Sequence, residues 1–399
     1  VSVIDESTTL DGTTASRRWV FQAAYLGMSW TWVIGMFLPV LLVRDYGPFA
    51  WLIFALPNVI GAAWMGWAIK SSDHAAAMVR VHLPAMRVFT LVTVAFHVFF
   101  VLWWIGEAVG LRIASAILAL MLLGMFAPLP SRSWAAAGVW LVSMCLLFLL
   151  GGSGVMSMPP TLEVNPLDLA ALAVVCVLGF LACPYLDLTF QRVAEASDAR
   201  RPAFGVGFGV FFLSMIVGTL LYAPAILERR LDATLTWILV AHLSIQAAFT
   251  VSAHARQLER KSPAGATLAL AVAVAVGVAA ALTPRAAGVG VVLSDGMAAG
   301  EVVYRLFMAF YGLVAPAYVW ICVYPTRGFV APDRRQRIVT AIVIVLASPL
   351  FAIAFFDRQM VWGGLGVLIV LAGRLGLDRV RRDFIAEHKA EMRGAELRG

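Results

Sequence analysis

Apolar runs of about twenty residues, parted by short charged or Pro/Gly-rich breaks, fill almost the whole chain. They predict helices over 19–43, 48–69, 86–109, 112–129, 134–151, 166–190, 203–226, 233–255, 265–283, 300–325, 338–356 and 360–376. Most match the roughly 20 residues that an α-helix needs to cross a bilayer. The expected fold is an all-α polytopic membrane protein with about 12 transmembrane helices and no stretch left for a separate soluble domain. Polar segments bracket the set: a lead over 1–18 and a charged tail over 377–399. The lead reads as disordered and carries no signal-peptide pattern, because the first apolar run is longer than an h-region and no cleavage site follows it. The tail reads as a charged helix, either lying on anionic lipid or simply solvated.

Composition agrees with lipid as the solvent. Hydrophobic residues make up 61% of the 399 and charged residues 13%, with a mean hydropathy of +0.88. A soluble domain is roughly 45–50% apolar and about a quarter charged. The four cysteines, Cys145, Cys176, Cys183 and Cys322, lie in apolar runs without CxxC spacing and read as small buried hydrophobes.

A net charge of +7 raises the question of nucleic acid, and the charge distribution answers it. With the N-terminus inside, 23 of the 30 lysines and arginines fall on inside segments and 7 on the outside. That asymmetry is a topology signal rather than a phosphate-binding stripe. It predicts both termini in the cytoplasm of a bacterial inner-membrane protein. The expected partners are membrane lipid and a small-molecule solute, with no nucleic acid; the oligomeric state is left open.

Function in such a protein is carried where spans break the apolar rule. Span 1 holds Gly27, Ser29, Thr31 and Gly35 at mid-depth and Pro39 a turn further on. Such residues suit either an unwound ligand site or close helix packing. In span 6, Pro184 weakens the helix at Cys183, and Asp187 and Gln191 follow. So deep an aspartate is either functional or lies near the inner end, solvated or paired with Arg192 or Arg256. Span 8 carries His242, Gln246 and Thr250 at i, i+4 and i+8, with Ser244 on another face. His97 lies midway along span 3, and Glu301 and Arg305 in span 10 are spaced to pair. No zinc spacing, no G-x-S-x-G and no P-loop lysine occurs, so enzyme chemistry is not expected. The glycine run 205–210 follows no strand and reads as packing.

Breaks in spans 1 and 6, five spans apart and running in opposite directions, match inverted five-helix repeats. The repeats fall at 19–152 and 165–326, with two further helices over 338–376. The segments FLPVLLVRDYGPFAWLIFALPN (37–58), PYLDLTFQRVAEASDARRPAFGVG (184–207) and AHLSIQAAFT (241–250) resemble the sodium:solute symporter family. Gln191-Arg192 and the loop after it carry the most specific part of that likeness. The chain is a short, divergent match: it lacks the family's extra N-terminal helix, and Ile245 stands where a second sodium-site hydroxyl is expected.

The resemblance implies a LeuT-type fold of the amino acid–polyamine–organocation superfamily and secondary active transport by alternating access. Substrate contacts are expected from Ser29, Trp30, Thr31, His97, Cys183, Tyr185, Gln246 and Tyr311. Asp187 and Ser244 are the expected ion-coupling residues. No cofactor is expected beyond a coupling Na+, with protons the other candidate. The competing reading is a transport-incompetent chain of the same fold, acting as a sensor or assembly subunit.

Overall fold

The computed structural model describes residues 12–126, 133–197, 199–286, 292–293 and 297–396. In chain order the helices begin with α1 (Gly12–Trp30), α2 (Val33–Tyr46), α3 (Pro48–Ala68) and α4 (Ser72–Val109). Next come α5 (Leu111–Phe126), α6 (Ser133–Gly152), α7 (Pro166–Leu186), α8 (Leu188–Ala196), α9 (Arg200–Leu227), α10 (Ala233–Lys261) and α11 (Ala266–Ala286). A two-residue antiparallel pair, β1 (Val292–Leu293) with β2 (Met297–Ala298), leads into α12 (Ala299–Thr326), α13 (Arg334–Phe356) and α14 (Met360–Glu396).

Among the described residues, ten helices are long and apolar enough to cross a membrane, and the bent pair α1–α2 passes the same test as one broken span. The protein is therefore an all-α polytopic membrane protein. α5 has 16 residues, which is about 24 Å of helix against a hydrocarbon core of about 30 Å. Its expected run continued to 129, outside the described residues. The expected lead over 1–18 also lies mostly outside them, although α1 begins at Gly12, seven residues ahead of the expected 19.

A few packings set the interior. α1 lies along α6 and against the first half of α9, while α2 runs along the second half of α9. α3 packs on α7 and on α9. α4 packs on α11, α10 and α8, and α10 on α5 and α6. α13 and α14 pair with each other at the edge, α14 touching α7.

Glycines permit the closest crossings. A Cβ on Gly27 would stand 2.7 Å from Phe211 Cβ and 2.8 Å from Gly207 O, so Gly27 lets α1 sit directly on α9. Gly277 plays the same part where α11 crosses α4: a Cβ there would run into Ala95 O and stand 2.7 Å from Val98 Cβ. Gly277→Ala is expected to destabilise by about 1–3 kcal/mol through overpacking. Gly138→Ala, whose Cβ meets nothing within 4 Å, is expected to stabilise α6 by roughly 0.5–1 kcal/mol. Thermal unfolding of the two purified variants against the parent checks both signs.

Candidate functional site at the two helix breaks

The first break is built locally. Thr31 N still bonds Gly27 O at 2.9 Å, but Trp32 turns to extended backbone (φ −70°, ψ 165°), and α2 leaves at 52° to α1. An unwound turn inside lipid must satisfy its own carbonyls. The Trp32 indole Nε1 donates to Ser29 O at 2.5 Å and Thr31 Oγ1 donates to Gly27 O at 2.7 Å. β-branched Thr and aromatic Trp in succession are also poor helix formers, so little propensity opposes the turn.

The second break follows from Pro184 and Asp187. Cys183–Leu186 tighten into a 3-10 turn, and Asp187 is extended (φ −84°, ψ 113°) as the N-cap of α8. Its Oδ1 accepts from Thr189 N and from Thr189 Oγ1, both at 2.7 Å. An aspartate capping a buried helix N-terminus meets the orphan amides and the positive end of the helix dipole. Asp187 is 0% exposed and lies beside neither Arg192 nor Arg256 as an ion pair. Instead His254 Nε2 of α10 is 3.6 Å from its Oδ2. The breaks touch: Ser29 Oγ is 3.0 Å from Thr189 Oγ1.

On the α2 side of the breaks a cavity of about 110 Å³ lies between α2, α3, α7 and α12. Trp30 and Trp32 floor it, Cys176, Cys183 and Tyr311 form walls, and Asn58 is the polar group at its base. Trp30 Nε1 donates to Asn58 Oδ1 at 2.7 Å, and Cys183 Sγ to Tyr311 O at 3.2 Å. Tyr311 sits in a π-helical turn of α12 (Phe310–Val314), an irregularity that often marks a functional position. At the far end Asp45 and Arg305 close the cavity through an ionic cluster. Arg305 Nη2 is 2.5 Å from Asp45 Oδ2 and 2.7 Å from Glu301 Oε1, Arg44 Nη2 is 2.5 Å from Glu301 Oε1, and Arg358 Nε is 3.6 Å from Asp45 Oδ1.

The expected site residues separate into groups. Trp30, Cys183 and Tyr311 line the cavity together. Ser29 and Asp187 meet through Thr189 on the other side of the break. Thr31 is spent on its own helix, and His97 holds Thr93 O through Nδ1 at 2.7 Å while its ring faces Trp32 edge-on at 6.2 Å. Three residues are elsewhere. Tyr185 lines a second depression with His74, Trp64 and Arg327. Gln246 Nε2 donates to Ser143 Oγ at 2.8 Å and touches Met28 Sδ at 3.4 Å. Ser244 precedes His254 by ten residues, about 15 Å of helix rise, so it is not brought to Asp187.

Trp32, Asn58, His254 and the Asp45–Arg305 closure were not expected from the sequence. Trp32 is the hub of the site: Trp30, Phe89, His97, His254 and Tyr311 all pack on its ring within 4.8–6.2 Å. The signal for His254 was present, since it continues the i, i+4 series of His242, Gln246 and Thr250. No family model matches the chain, and no curated protein sequence matches it.

Proposed function

We propose that the protein is a secondary transporter that moves a small, largely apolar organic solute by alternating access. One observation carries the reading: two broken helices meet beside a mostly apolar cavity. A binding site at the midplane between discontinuous helices is the arrangement of transporters built from inverted repeats. The packing supports such a 5+5 repeat of the LeuT type. If α1–α2 corresponds to α7–α8, then α3 matches α9, α4 matches α10 and α5 matches α11. On that mapping α9 against α1–α2 is the counterpart of α3 against α7, and α4 against α11 the counterpart of α10 against α5. The likeness of 37–58 and 184–207 to sodium:solute symporters points the same way.

With the termini placed in the cytoplasm by the positive-inside rule, the Asp45–Arg305 cluster seals the outer end. The depression lined by Tyr185, of about 530 Å³, then opens inward. Walls of Leu38, Leu42, Leu172, Val175 and Phe180 favour a solute with an apolar body, with Asn58 able to meet one polar group.

A thermal-shift screen of purified protein against neutral and aromatic solutes, with and without sodium, tests the reading. A solute that binds only the folded state raises the melting temperature by mass action. The expected result is stabilisation by at least one apolar solute, abolished by Cys176→Trp, which fills the cavity from its wall. No stabilisation by any solute, or a shift untouched by Cys176→Trp, would overturn it.

A further inference from the structure

The polar series on α10 runs much further than span 8 first suggests. His242, Gln246, Thr250, His254 and Gln257 follow one another at spacings of four, four, four and three, and all are at most 1% exposed. A buried polar side chain normally has every polar atom paired. Here both ring nitrogens of His242, Gln246 Oε1, Thr250 Oγ1, both ring nitrogens of His254 and both amide atoms of Gln257 make no full hydrogen bond to protein. Asp187 Oδ2 and Tyr25 Oη are in the same condition. Such groups in succession along one face of a helix in a membrane protein are what a chain of proton carriers needs.

The spacing fits. Groups four residues apart rise by about 6 Å along a helix, and two hydrogen bonds of about 2.8 Å through one water span nearly that distance. We propose that this face of α10 is a proton pathway, and that Asp187 with His254 is the site on it that binds and releases the coupling proton. The proposal rests on the transporter reading only for the word coupling; proton binding stands on the pair itself.

The chemistry around the pair selects a proton over sodium. A hard cation wants several oxygens around it. Asp187 Oδ1 is occupied by the two bonds from Thr189, leaving Oδ2 opposite an imidazole nitrogen 3.6 Å away. A carboxyl oxygen facing imidazole takes a proton between them. The surroundings contribute Tyr25 and the Ser29 carbonyl from α1, Trp32 from the break after it, and His97 from α4. They also include Cys183 from α7, Tyr311 from α12 and Ser143 of α6 on Gln246. The cation Arg192 lies over the Tyr25 ring at 4.4 Å. A proton entering from water on either side binds to Oδ2 or Nε2 and leaves toward the other side, with no change of oxidation state. Asp187 caps α8 and Thr189 reaches Ser29, so loading the pair acts on both breaks at once.

Infrared difference spectra of the lipid-reconstituted protein, recorded over a pH titration, test proton binding without any solute. The expected result is a carboxylic-acid C=O band that titrates, is missing in Asp187→Asn, and moves its midpoint by about one pH unit or more in His254→Gln. Should Asp187→Asn not fold, His254→Gln carries the test alone. A titrating spectrum unchanged in Asp187→Asn, or a midpoint unmoved in His254→Gln, overturns the site. Proton flux into liposomes under an imposed potential, read with an enclosed pH dye, tests the pathway. Gln246→Leu and Thr250→Val are expected to cut flux about tenfold while keeping the band; undiminished flux overturns the pathway. A titrating band together with a failed solute screen would uphold the proton site and sink only the transporter reading.

Discussion

Asp45→Ala is expected to be among the most destabilising single substitutions in the protein, at about 3–5 kcal/mol. The Asp45 side chain is 2% exposed and faces three guanidinium groups: Arg305 at 2.5 Å, Arg44 at 2.8 Å and Arg358 at 3.6 Å. Removing it leaves Glu301 alone against three cations, in surroundings where an unpaired charge is expensive. Arg305→Ala removes more hydrogen bonds, including one to Phe355 O, but leaves two carboxylates with two arginines. Its effect is therefore expected to be smaller, and Arg44 and Arg358, each about a third exposed, recover some hydration. The double variant Asp45→Ala/Arg305→Ala is expected to be less destabilised than the sum of the singles, because each single strands the other's partner. Thermal unfolding of the four proteins in one detergent gives the cycle. Additivity within about 0.5 kcal/mol would show that the pair does not act as a unit.

That cluster also marks a boundary of what the sequence discloses. Glu301 and Arg305 are visible as an i, i+4 pair, and the structure has them 2.7 Å apart. Their join to Arg44 and Asp45 spans more than 250 residues, and no local pattern announces it. The helices were legible because lipid demands long apolar runs, a constraint that acts on every span alone. Asp187 was legible as an anomaly. Its capping of α8 was not, because Pro184 accounts for a break without asking what starts the next helix. The faces of α10 were half legible: spacing groups Gln246 with His242 and Thr250, but which neighbour they meet depends on tertiary register. Gln246 accordingly turned out to face Ser143 and Met28 rather than the cavity. His254 stands at the charged end of the expected span, one residue before its limit at 255, yet the ring is fully buried.

Trp32 is where local and tertiary structure meet, and its substitutions are expected to separate the two. Trp32→Ala should destabilise by about 3–5 kcal/mol, the range for truncating a buried aromatic. The side chain is 3% exposed and five rings from α1, α4, α10 and α12 lean on it. Trp32→Phe keeps a ring in that cage but removes the indole N–H, leaving Ser29 O without its 2.5 Å donor. An unsatisfied buried carbonyl costs about 1–3 kcal/mol, so the phenylalanine variant should fall between parent and alanine. The two should also differ in what they disturb. Loss of the donor alone frees the turn at Ser29, which abuts Thr189 and through it the Asp187 cap. Hydrogen exchange of the amides around the two breaks should therefore quicken in Trp32→Phe while those of α4 and α12 stay protected; in Trp32→Ala all should quicken. Equal protection in parent and Trp32→Phe would mean that the indole bond does not hold the break, and that aromatic packing alone sets the bend between α1 and α2.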